Sequence, residues 1–144
     1  MFLGEHSYTL DSKGRLTLPA KYRDDLAQGV VITRGLDHCL FVFRFEDWKR
    51  YTKVLGEQLP FTSKEARQFA RFFFAGAVDV IPDRQGRVLV PEYLREHADL
   101  DGEVMIIGAN NRLEVWKPER WQQSLSEVSA DAETIAEHFN AIIF

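Results

Sequence analysis

The chain has 144 residues, 45% of them hydrophobic and 28% charged, with a formal net charge of −4. That length holds one domain or two very small ones, and no apolar run approaches the roughly 20 residues of a membrane-spanning helix. Only Arg120 of the 18 basic residues lies beyond residue 118, against five of the 22 acidic ones, so the negative balance belongs to the C-terminal segment and the remainder is neutral. A phosphate-bearing partner is therefore not excluded, because local charge decides such contacts. The opening Met1-Phe2-Leu3-Gly4-Glu5-His6 lacks the basic and long apolar stretches of a secretory signal. Cys39, the only cysteine, makes neither an internal disulfide nor a zinc site and reads as a small buried residue of a chain kept in a reducing cytoplasm.

In chain order, Tyr8-Thr9-Leu10-Asp11 and Arg15-Leu16-Thr17-Leu18 alternate apolar and polar residues around Ser12-Lys13-Gly14, which predicts a β-hairpin. Tyr8, Leu10, Leu16 and Leu18 face a core; Thr9, Arg15 and Thr17 face outward. Pro19 opens a helix over residues 20–28 that Gly29 ends. Strands over 30–34 and 40–43 follow, joined by the turn Leu36-Asp37-His38. A helix over 47–56 stops before Pro60, and Thr62-Ser63-Lys64-Glu65 is a capping box with Thr62 as N-cap. Ala66, Phe69, Ala70 and Phe73 continue at helical spacing. The second half repeats this order. Val78 and Val80 lead into the turn Arg84-Gln85-Gly86, and Val88 and Val90 lead out to Pro91. A helix over 92–101 ends at Gly102, strands over 104–107 and 113–116 surround Ala109-Asn110-Asn111, and helices over 119–125 and 131–143 close the chain.

The repetition is literal in places. Asp11-Ser12-Lys13-Gly14-Arg15 returns 72 positions later as Asp83-Arg84-Gln85-Gly86-Arg87, each with a proline four residues after its Arg, and Arg23 matches Arg95. At an offset of 73, Gly29, Val31, Gly35, Leu40, Val42 and Trp48 match Gly102, Val104, Gly108, Leu113, Val115 and Trp121. The class is α+β, built as a tandem repeat of residues 1–76 and 77–144, each β-β-α-β-β-α-α. Each unit alone buries too little surface to stand by itself, so the copies share a core or extend it by self-association.

The Asp-x-x-x-Arg phrase has two readings. Asp11 and Asp83 accept hydrogen bonds from the turn they open, and Gly14 and Gly86 supply the left-handed residue, so a tidy turn with a surface ion pair worth about 0–1 kcal/mol accounts for part of it. Nothing in turn chemistry calls for an outward Arg in both copies. With Lys13 beside Arg15, and Arg84 beside Arg87, the loops offer cations suited to phosphate and to guanine edges.

These residues carry a family resemblance. Met1-Phe2-Leu3-Gly4, then Leu10 to Arg15 with Pro19 and Arg23, resembles the MraZ family. So do Phe72 to Ala77, Asp83 to Arg87 with Pro91, Ile107-Gly108 and Leu113-Glu114-Val115-Trp116, in the same order. Each half resembles a SpoVT/AbrB-type domain. The resemblance implies a swapped-hairpin β-barrel of the double-ψ-like AbrB type flanked by helices, with both halves in one chain. It implies a bacterial, nucleoid-associated transcription factor of the cytoplasm that represses through direct repeats upstream of the division and cell-wall gene cluster, its own gene included. It implies subunits assembled into a homo-oligomeric ring, with double-stranded DNA met by Lys13, Arg15, Arg84 and Arg87 on loops oriented by Asp11, Asp83, Gly14 and Gly86. Repeat two has Arg-Gln where repeat one has Ser-Lys, so unequal contacts are expected.

Phe69, Phe72, Phe73 and Phe74 span too much of a helix for one core, so one face is expected inside and another against a neighbouring subunit. Ile142-Ile143-Phe144 is expected at the opposite edge, giving a head-to-tail contact. His6, His38, His97 and His138 show no metal-ligand spacing, and no nucleophile or phosphate-binding glycine motif is present, so no catalytic residue, metal, cofactor, membrane or small-molecule substrate is expected. The alternatives are a partner-binding ring that touches no DNA, an AbrB-like antitoxin, and a small β-rich enzyme for which no pocket residues are visible.

Overall fold

Alternation along the strands builds two cores on opposite faces of one sheet. In the computed structural model, which describes residues 1–143, β4 (Leu40–Arg44) sends Leu40 and Val42 to one side and Phe41 and Phe43 to the other. β3 (Val30–Arg34) pairs with it in register Val30 to Arg44. The first side gathers Leu10, Leu16, Leu18, Val30, Ile32, Val88, Val90 and their neighbours into an aliphatic core. The second gathers Cys39, Phe41, Phe43, Phe73, Ile107 and Trp116 into an aromatic one. Phe144, expected at a subunit edge, lies outside the described residues.

The architecture is α+β with antiparallel sheets. The strands β1 (Glu5–Thr9), β2 (Arg15–Thr17), β5 (Val78–Val80), β6 (Arg87–Leu89), β7 (Glu103–Gly108) and β8 (Leu113–Trp116) complete the set. Six make one sheet in the order β1-β7-β8-β4-β3-β5, and β2 and β6 form a separate ribbon. The pairing crosses the repeats almost everywhere. β1 pairs with β7, β5 with β3, β4 with β8 and β2 with β6. The predicted hairpin survives only at its tip, where the Asp11 N–H donates to the Arg15 carbonyl and Leu10 bridges Leu16. Beyond the tip each arm leaves for a strand of the other repeat, because the flanking apolar residues find more partners in a joint core than in a two-stranded unit. No described strand pairing joins β1 to β5, so the large sheet is open at those edges.

The helices depart from expectation in detail. Pro19 stands as the cap before a short 3-10 turn (Ala20–Tyr22) and α1 (Arg23–Leu26), not at the first turn of one continuous helix. α2 covers Phe45–Gln58, and α3 covers Lys64–Phe74. Ser63, not Thr62, caps α3: its Oγ accepts from the Ala66 N–H at 3.3 Å. α4 is Glu92–His97. The C-terminal pair of predicted helices is a single α5 (Pro118–Glu137) followed by a turn, α6 (Asn140–Ile143). No Pro or Gly interrupts residues 126–130, so the first helix runs on.

Phe73 is buried in the aromatic core, Phe69 and Phe72 pack on it partly, and Phe74 is exposed, stacked edge-on to Trp48. The Thr33 hydroxyl donates to the Phe73 carbonyl and Arg34 Nη1 to the Phe72 carbonyl, tying the end of α3 to β3. Trp121, Leu125, Val128, Ala132 and Ile135 recur at alternating steps of four and three along α5, a heptad-type spacing that Phe139, in the turn, and Ile142, in α6, continue in sequence. Trp121 meets Trp116 at its start, while Val128, Ile135, Phe139 and Ile142 are exposed.

Candidate nucleic-acid interface

The two Asp-x-x-x-Arg turns have the same geometry. Asp11 Oδ1 accepts from the Lys13 and Arg15 N–H groups, both at 2.9 Å, and Asp11 Oδ2 accepts from Arg15 Nε at 2.6 Å. Asp83 Oδ1 accepts from the Gln85 and Arg87 N–H groups at 2.9 Å, and its Oδ2 from Arg87 Nε at 2.7 Å. Backbone donation from Arg15 and Arg87 is the largest influence holding these carboxyls below the usual carboxylate range, ahead of the guanidinium contact. Gly14 and Gly86 take φ of +82° and +75°, where L side chains are strained. The Arg is thus part of the turn after all: Asp fixes its Nε. Among the described residues the Nη atoms of Arg15 and Arg87 have no hydrogen-bond partner, so each half-buried guanidinium keeps a fork of unpaired donors.

The strand pairing places both arginines on one surface. In the β2–β6 ribbon Arg15 lies opposite Leu89, Leu16 opposite Val88 and Thr17 opposite Arg87. Leu16 and Val88 are buried, so Arg15, Thr17, Arg87 and Leu89 form the outward face. The ribbon has a local two-fold axis at the Leu16–Val88 pair, since those positions match in the repeat. Arg15 and Arg87 are diagonal neighbours on it, about 7–8 Å apart at Cα. Lys13 and Arg84 are exposed on the flanking turns, and neither makes an ion pair among the described residues.

Two further arginines, matched in the repeat, bind the two halves together. A Cβ on Gly14 would stand 3.0 Å from the Arg95 guanidinium carbon, and one on Gly86 would stand 2.6 Å from Arg23 Nε. Each turn is therefore roofed by the arginine of the other repeat. The Val90 N–H donates to the Gly14 carbonyl and the Leu18 N–H to the Gly86 carbonyl, so the exchange is mutual. Six cations, Lys13, Arg15, Arg23, Arg84, Arg87 and Arg95, thus surround one ribbon. Only the match of Arg23 with Arg95 pointed to this pair.

No group of three His, Cys, Asp or Glu that could hold a metal occurs among the described residues, and none of their helices is long and apolar enough to cross a membrane. Cys39 is buried against the aromatic core, and burial pushes its thiol pKa well up.

The family model for the MraZ protein, described as antitoxin-like, matches residues 1–72 and again 73–140. The chain is 48% identical over 137 residues to a protein named transcriptional regulator MraZ from Carboxydothermus hydrogenoformans, covering 95% of each chain. It is 49% identical over 136 residues to the protein of that name from Halothermothrix orenii, covering 94% of each. It is 49% identical over 137 residues to the one from Heliobacterium modesticaldum, covering 95% of each. With both repeats matched and nearly the full length aligned, the chain belongs to the MraZ family.

Proposed function

We propose that this chain is a sequence-specific DNA-binding transcriptional regulator whose contact surface is the outward face of the β2–β6 ribbon. The observation that carries the reading is the convergence of Arg15 and Arg87 on one face with their Nη donors free. A two-stranded ribbon fits the major groove, where an Arg fork meets the O6 and N7 of guanine. Lys13, Arg84, Arg23 and Arg95 hold flanking phosphates, and Asp11 and Asp83 hold the turns. The chain acts as a repressor on direct repeats upstream of the division and cell-wall genes and of its own gene, in the cytoplasm at the nucleoid, and it is not an enzyme. The names of its relatives and the ribbon geometry support this reading.

The protein works as a ring. One ribbon makes few phosphate contacts and binds weakly, whereas a ring presents several at once and raises avidity by about 10² to 10⁴ over a single site. The exposed seam of α5 and α6 supports a subunit contact there. The exchange of strands between repeats supports the swapped-hairpin barrel of the AbrB type as the evolutionary form of the fold. The test is a titration of duplex DNA from upstream of its own gene against a shuffled duplex, at two salt concentrations. Tighter binding to the upstream duplex at both salts is expected; equal affinities would remove the claim of specificity.

A further inference from the structure

The ribbon is two-fold in backbone and unlike in side chains. Leu16 and Val88 lie at its axis, and Arg15 and Arg87 are related across it. The two remaining outward positions break the symmetry: one carries the Thr17 hydroxyl, the other the Leu89 isobutyl group. Leu89 is 55% exposed, belongs to neither core, and lies directly opposite Arg15. The Val90 N–H to Gly14 carbonyl and Leu18 N–H to Gly86 carbonyl bonds make 14·90 and 18·86 the hydrogen-bonded pairs. The alternating ladder then makes Arg15·Leu89 a non-hydrogen-bonded pair, with Cα atoms about 4.5 Å apart and side chains side by side. Asp11 holds the Nε edge of Arg15, so the free fork and the Leu89 methyls project together from one spot.

In the major groove, thymine differs from cytosine by its O4 acceptor and its C5 methyl, and apolar side chains read the methyl. Stacked bases are about 3.4 Å apart along the axis, so a fork and a neighbouring isobutyl group reach adjacent base pairs. We infer that Leu89 is a specificity-determining residue that packs on the methyl group of a thymine beside the guanine met by Arg15, and that its mismatch with Thr17 gives each chain one polarity on DNA. Thr17 offers a hydroxyl that donates or accepts, so the Arg87 side of the box discriminates less. A chain that reads its box with a direction suits boxes repeated in one orientation. The inference rests on the DNA-binding reading above.

The experiment replaces each thymine of the upstream duplex in turn by uracil, which removes only the methyl, and measures affinity for the wild type, Leu89→Ala and Thr17→Ala. A buried methyl is worth about three- to fivefold in affinity. The wild type and Thr17→Ala lose that factor at a thymine on one flank of the box only, and Leu89→Ala loses nothing there. The inference is overturned if Leu89→Ala keeps every uracil penalty of the wild type, if no uracil carries a penalty, or if penalties fall equally on both flanks. In those cases retained binding that depends on Arg15 leaves the DNA-binding reading intact. Absence of binding to upstream and shuffled duplex alike overturns both.

Discussion

The arginines of the two turns have divided guanidinium groups. Nε belongs to the fold through Asp11 or Asp83, and the Nη pair has no hydrogen-bond partner among the described residues. Truncating Arg15 removes one fork, so Arg15→Ala is expected to weaken binding to the upstream duplex by about 1–3 kcal/mol, roughly 5- to 150-fold, and Arg87→Ala by somewhat less. Both variants lower the dependence on salt where a phosphate contact is lost, by about 0.9 in the log–log slope per phosphate. The carboxylates supply a pH prediction. Their pKa values are depressed in the folded chain, so their support is full above the ordinary carboxylate range and is lost as pH falls through the depressed values. Carboxyl-carbon NMR titration is expected to give midpoints for Asp11 and Asp83 below that of an unstructured Asp. Midpoints at the unstructured value would mean that the turn bonds do not persist in solution.

At the scale of elements, the sequence was most legible where a residue type has one local use. The alternation of Leu16 and Leu18 with Arg15 and Thr17 gave the faces of β2, and Gly14 and Gly86 gave the turns. Two departures have physical causes, one local and one long-range. Thr62 and Ser63 are both competent caps, and only the path of the chain after Pro60 decides for Ser63. Ser63→Ala is therefore expected to cost about 1 kcal/mol in urea unfolding, with Thr62→Ala nearly neutral. Periodicity predicts self-paired hairpins because it reports which face a side chain takes, never which strand lies beside it. The convergence of Arg15 and Arg87 on one face follows from the β2–β6 pairing, so that shared face was not legible from the sequence, which marks only the two arginines. Arg95 over Gly14 and Arg23 over Gly86 were hidden for the same reason.

For the whole molecule, the crossed pairing makes the repeats interdependent. Four of the six described strand pairings join one repeat to the other. Residues 1–76 alone lack partners for β1, β2, the outer edge of β3 and the free edge of β4, so that fragment is expected to show no cooperative unfolding transition, and mixing with residues 77–144 restores it. A fragment that melts cooperatively alone would contradict the shared core. The exposed seam makes the parallel prediction for assembly: Ile135→Asp with Phe139→Asp lowers the mass seen by sedimentation while the far-UV spectrum of the body is retained.

On the proposed function, DNA meets the ribbon face and, within it, the two arginines Arg15 and Arg87. The most direct measurement is the affinity of Arg15→Ala/Arg87→Ala for the upstream duplex, made beside a urea unfolding curve. The double variant is expected to unfold as a cooperative unit and no longer to distinguish upstream from shuffled DNA. A double variant that is folded and binds the upstream duplex as tightly and selectively as the wild type would contradict it.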